Sequence, residues 1–223
     1  MSHFTKDFVS FFKELKENNT KEWFDANRKR YETSVKKPLY AFVDEMIGRI
    51  NAEEPEVRIQ AKDAVTRINR DIRFSPDKTP YNTHIGAVIS SAGRRDKSVP
   101  GVFLRFDPEG LYIFGGAHGI DPQQTALVRS AIAEDPEVFM KLILQKDFMD
   151  KFGELKGEKS KRIPKEFAEL AEKYPVISHK SFYYVGKVPV SKITSAGLPE
   201  LVMEYWHTAK PVKDFLSVAL NHH

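Results

Sequence analysis

The stretch from Gly101 to Gly115 constrains the fold most. Gly101-Val-Phe-Leu-Arg-Phe106 and Leu111-Tyr-Ile-Phe-Gly115 are β-forming runs joined by Asp107-Pro-Glu-Gly110, a strong turn signal. A connection this short forces antiparallel pairing, because a parallel return needs a crossover of about a dozen residues or more. Upstream, His84-Ile-Gly-Ala-Val-Ile-Ser-Ser-Ala-Gly93 is a further strand candidate, rich in β-formers and small residues. Val57–Ile59 reads as a weak strand, and His179–Val188 has aromatic strand character. The sheet is expected to run from about Val57 to Phe114, with Phe182–Val188 joining it.

Helical spacing flanks this sheet. Phe8, Phe11, Phe12 and Leu15 predict an amphipathic helix over Lys6–Glu17, ended by Asn18-Asn19. Thr20 caps a second helix whose stripe runs Phe24, Tyr31, Val35, Leu39, Phe42, Met46 and Ile50, with a kink or break at Val35–Lys37 ahead of Pro38. Arg28 shares that stripe and must reach the edge or meet an acid. Gly115-Gly116-Ala-His-Gly-Ile-Asp121-Pro122 leaves the sheet and starts a helix, with Asp121 as cap and Pro122 in the first turn. Its glycines read either as an anion cradle or as a bulge or close-packing device. Helices follow over 123–133, 136–146 and 164–173, then a closing pair broken at Pro211. The class is α+β, a single domain spanning 1–223, with a mostly antiparallel sheet covered by N- and C-terminal helices.

Composition narrows the function classes. The 223 residues are 41% hydrophobic and 30% charged, which suits a chain with a sizeable core. No cysteine is present, so disulfide and thiolate chemistry are excluded. The net charge of +4 favours anionic partners without demanding nucleic acid. No apolar run approaches the ~18 residues of a membrane span, and the start lacks the pattern of a signal peptide. A cytoplasmic protein with no membrane association is expected. The terminal His222-His223 is either native or a tag remnant.

Polar chemistry concentrates in Arg67-Ile-Asn-Arg-Asp-Ile-Arg-Phe-Ser-Pro-Asp-Lys-Thr-Pro-Tyr81: four cations and two carboxylates within fifteen positions. With a period of two, Thr66, Ile68, Arg70, Ile72 and Phe74 face the core, and Val65, Arg67, Asn69, Asp71 and Arg73 face outward. Arg70 falls on the apolar face and needs a carboxylate or a break in the strand. Ser75–Pro80 must turn, which puts Asp77, Lys78, Tyr81 and His84 on a stiff loop where functional groups often sit. The other reading is a solvated face whose Arg and Asp pair with each other.

Two motifs resemble those of the DUF2461 family of conserved bacterial proteins. One is Asn18-Asn19-x-x-x-Trp23-Phe24-x-x-Asn27-Arg28-x-x-Tyr31. The other is Arg67-Ile-x-Arg70-Asp71-x-Arg73-Phe74-Ser75-x-Asp77-Lys78-x-Pro80-Tyr81. Gly115-Gly116 ahead of Asp121-Pro122 also fits. The chain departs from the resemblance at Tyr174-Pro-Val-Ile-Ser-His179, where an acidic-His-Pro turn is expected. The resemblance implies a single domain and no established activity, and it marks the motif positions as a site.

Three functions follow. The first is a pocket for a small anionic molecule, a phosphate or carboxylate, with Arg28, Arg67, Arg70, Arg73 and Lys78 as cations and Asn18, Trp23 and Tyr81 shaping it. The second is a hydrolase or phosphoryl-type enzyme using Asp71 or Asp77 as base or metal ligand and His84 as acid–base group. The seven histidines show neither His-x-His nor His-Glu-x-x-His, so no metal site is assigned, and cofactor and oligomeric state stay open. The third, nucleic-acid binding through Arg94-Arg95, Lys97 and Lys159–Arg162, is disfavoured because these patches are short and lack aromatic interleaving.

Overall fold

The computed structural model describes residues 1–221, so His222 and His223 lie outside the described residues. The fold is α+β, with a four-stranded antiparallel sheet in the order β1-β2-β3-β4. In chain order the elements are α1 (Lys6–Glu17), α2 (Lys21–Ala26), α3 (Arg28–Arg30), a π-helical turn (Tyr31–Lys36), α4 (Lys37–Asn51) and α5 (Ala61–Ala64). The strands β1 (Ile85–Ile89), β2 (Gly101–Asp107) and β3 (Gly110–Ala117) follow. Then come α6 (Pro122–Glu134), α7 (Pro136–Ile143), α8 (Lys146–Phe152), α9 (Lys165–Lys173), β4 (Phe182–Pro189) and α10 (Leu198–Ala219). The chain separates into two compact units: Met1–Arg94 with Phe103–Ile113 and Lys187–Met203, and Arg95–Val102 with Phe114–Gly186 and Glu204 onward.

In the first unit the N-terminal helices pack on the sheet through phenylalanines. Phe106 of β2 meets Phe8 of α1 at 5.6 Å, Phe42 of α4 at 5.8 Å and Phe4 at 5.1 Å, centroid to centroid. Arg30 clamps α3 to α1 by donating to both Asp7 and Glu14 at 2.6 Å. Its guanidinium holds both carboxyls below their ordinary range. The kink expected ahead of Pro38 takes the form of the π turn: the Lys37 N–H reaches back to Glu32 O. Widening the turn keeps the pyrrolidine ring off the carbonyl four residues earlier.

In the second unit Phe182 and Tyr184 of β4 share a core with Phe148, Phe152, Val212 and Leu216. Asp121 caps α6 by accepting from Gln124 N–H at 2.8 Å, with Pro122 in the first turn, as the sequence pattern predicts. Gly115 and Gly116 act as close-packing devices. A Cβ at Gly115 would stand 2.4 Å from the Tyr184 hydroxyl, and one at Gly116, where φ is +94°, would stand 2.2 Å from Phe182 O.

Three expectations fail. Val57–Ile59 forms no strand, because the Asn51 side chain donates to Val57 O and Pro55 O, claiming carbonyls a ladder would use. Residues 65–74 form isolated bridges rather than a strand. Pro76 and Pro80 bring no N–H to that ladder. The α10 helix runs unbroken through Pro211, which lies on its exposed face between the buried Ala209 and Val212. On that face the ring leaves the buried stripe, with Ala209, Val212 and Leu216, undisturbed.

Gly116→Ala should lower stability by roughly 2–3 kcal/mol, since both φ and the Phe182 carbonyl oppose a side chain. Urea denaturation measures it; an unchanged midpoint would refute the close-packing role.

Candidate functional site

The Arg67–Tyr81 stretch is a loop pinned at its base. Asn69 bridges Tyr81, Arg70 N–H donates to Pro80 O at 2.9 Å, and Asn82 N–H donates to Ile68 O at 2.7 Å. The predicted alternation survives in part: Ile68 is buried and Arg67, Asn69, Asp71 and Arg73 are exposed. Phe74, expected in the core, is 94% exposed. The chain turns at Arg73-Phe74, so the face that holds Ile68 no longer meets the core there.

Arg70 finds both solutions the sequence demanded, a carboxylate and a break in the ladder. Its guanidinium donates to Asp77 at 2.5 Å, to Thr79 O at 3.1 Å, to the Thr79 hydroxyl and to Ser75 Oγ at 3.4 Å. Asp77 also accepts from Thr79 N–H at 2.9 Å, and these bonds lower its pKa, the Thr79 amide first. Arg73 chelates Asp71 at 2.6 Å, both side chains largely exposed, and lowers the Asp71 pKa. Lys78 donates to Ile72 O at 3.0 Å. Three of the motif's cations are therefore engaged inside the loop. Arg67 is exposed and forms no ion pair among the described residues.

The first motif supports the second. Asn19 donates to Tyr81 O at 2.8 Å and accepts from Tyr81 N–H at 3.1 Å, and Phe24 stacks on the Tyr81 ring at 4.0 Å. Tyr81 is thus a buried anchor. Asn18 caps α1 through Glu14 O, and Trp23 packs on Phe11 at 5.5 Å. Arg28 reaches the surface, paired with Asp25 at 2.6 Å over the Phe24 ring.

The charged groups that act on His84 are Arg105 and Asp107. Partial burial, then Arg105, pushes its pKa below the ordinary histidine value, so the ring is neutral near pH 7. The ladder bonds Thr66 N–H to Gly86 O and Asn82 N–H to Ile68 O set the Arg67 main chain opposite Thr83–Ile85.

Arg105, the cation that acts on His84, belongs to a group the motif reading missed. Arg105 projects from the half-open face of β2, whose burial alternates along its length. It donates to Asp107 at 3.0 Å and stands 5.7 Å over Tyr112 of β3. Lys187 of β4 lies 5.3 Å from the same ring. Asp107 spends its other oxygen on Glu109 N–H at 3.1 Å. Arg105 Nε is buried and has no hydrogen-bond partner among the described residues. The outward alternation of Phe103, Arg105 and Asp107 is the signal that could have found this face. Among the described residues, no cluster of His, Asp and Glu has the makings of a metal site.

A family profile of conserved hypothetical proteins, DUF2461, matches residues 7–215. The chain belongs to the DUF2461 family. No curated protein and no solved structure matches it. Both motifs that DUF2461 suggested from sequence meet at the Asn19–Tyr81 pair, 62 residues apart in the chain.

Arg70→Ala should free Asp77 and Thr79 and make loop 70–80 markedly more sensitive to limited proteolysis, while Arg70→Lys, lacking the guanidinium fork, restores little. A cleavage pattern identical to wild type would show that the network does not hold the loop. Acid dependence follows from His84 and His179, both depressed by burial. The unfolded chain then binds more protons once pH falls below about 6.5, so stability drops as pH falls through that value. Replacing both with Gln should flatten the stability–pH profile between pH 7 and pH 5, read by thermal melts.

Proposed function

We propose that this protein binds a small anion, a phosphate or carboxylate group, at Arg105, which shares the Tyr112 ring with Lys187 on one side and acts on His84 on the other. The observation that carries the reading is Arg105 itself, a partly exposed cation whose Nε has no hydrogen-bond partner among the described residues. The Arg105 side chain as a whole is 38% exposed, so a ligand oxygen can reach its outer guanidinium nitrogens with a charge-assisted bond. Charge supports this: two cations share the Tyr112 ring, and Asp107 is the acid bonded to Arg105. His84, held neutral, offers one ring N–H. In this reading the Arg67–Tyr81 loop is the scaffold. It keeps Arg70, Arg73 and Lys78 occupied and contributes Arg67, whose main chain runs opposite His84.

Phosphate or citrate should raise the melting temperature in proportion to occupancy. Arg105→Gln should abolish that rise while leaving the ligand-free melt nearly unchanged. Anion binding should also lift the His84 pKa, visible by NMR as an upward shift of its titration. A wild-type melt and a His84 titration both indifferent to phosphate and citrate would reject the proposal.

A further inference from the structure

We propose that the edge formed by Lys156–Arg162 in the second unit binds single-stranded nucleic acid. The sequence shows here a short basic run without aromatic partners. The fold supplies them.

Residues 156–160 lie antiparallel beside 178–183. Lys156 N–H donates to Tyr183 O at 2.6 Å, Tyr183 N–H returns to Lys156 O at 3.0 Å, and Lys180 N–H donates to Glu158 O at 2.7 Å. The approach is so close that a Cβ at Gly157 would stand 1.9 Å from Ser181 O. The basic run is therefore held as a ribbon. From beneath, the buried Arg129 fastens it by donating to Ser160 Oγ at 2.6 Å as well as to the carbonyls of Ile177 and His179.

This pairing sets Lys156 directly across from Tyr183, so the two side chains are neighbours. The Tyr183 ring meets that of the exposed His118 edge-on at 5.1 Å. Lys97 lies beside Gly119, the next residue in the chain. Lys156, Lys159, Lys161 and Arg162 are exposed and form no ion pair among the described residues. Glu158 is taken by Lys180 at 2.9 Å. The result is a row of unspent cations flanking a pair of aromatic rings.

A flexible polyanion with flat bases matches that layout. Phosphates track the cations while a base stacks on a ring, and every base has a π face, so recognition tolerates any sequence. A duplex hides those faces.

The test is fluorescence anisotropy with fluorescein-labelled 12-nucleotide dT and rU strands at 50 and 200 mM NaCl. Binding should weaken steeply with salt. The triple variant K159A/K161A/R162A should reduce the slope of log K against log salt by about 2, at ~0.7 for each phosphate no longer neutralised. Tyr183→Val, which keeps a β-forming residue, should weaken binding by roughly tenfold with an unchanged slope. His118→Ala serves as the second ring variant should Tyr183→Val melt early. No binding at 50 mM overturns the proposal, as does a triple variant that binds like wild type. So does a tenfold preference for duplex, or full competition by heparin together with wild-type binding by both ring variants, which would mark simple adhesion of a polyanion.

Discussion

The first unit depends on one side chain acting as backbone. Asn19 gives and takes a hydrogen bond with the main chain of Tyr81, as a neighbouring strand would, and Phe24 closes over the ring. Tyr81 ends a loop whose prolines cannot extend a ladder, so its entry to β1 needs a partner from elsewhere. A side-chain amide carries a donor and an acceptor with the spacing of a peptide group. That equivalence lets a turn between two helices fix the position of a loop 62 residues away.

With its base fixed, the loop resolves its own electrostatics. Arg70 gathers Asp77, Thr79 and Ser75, and Arg73 holds Asp71. The exposed Arg73–Asp71 pair adds little stability, because water screens it. The Arg70 cluster is partly buried and replaces water with four protein acceptors, which stiffens the turn. Cations paired this way present fewer free donors to a ligand. The less crowded charge of this unit lies on the β2–β3–β4 face, where Arg105 and Lys187 share one ring and Arg105 Nε has no hydrogen-bond partner among the described residues.

The motif's density of charged groups was legible in the sequence, but its purpose was not. Both readings of Arg67–Arg73, site or mutual pairing, were open from the residues alone. Ion pairing depends on which side chains a turn folds back on each other, and the turn at Arg73-Phe74 brought Asp77 to Arg70. Arg105 and Lys187 are 82 residues apart in the chain, and no local pattern links them. Tyr183 and Lys156 are hidden from each other in the same way until the ribbon forms.

Local rules settled the α1 stripe, the Asp121-Pro122 helix start, the β2–β3 hairpin and the disturbance ahead of Pro38. Each is fixed by neighbours within a few residues through periodicity, capping or a missing N–H. Tertiary structure decided the rest: Pro211 inside an unbroken helix, Phe74 in solvent, Val57–Ile59 without a strand, and the pairings of Lys187 with Tyr112 and of Lys156 with Tyr183. Those outcomes are set by contacts between distant segments, whose free energies outweigh local propensities of a few tenths to about one kcal/mol per residue.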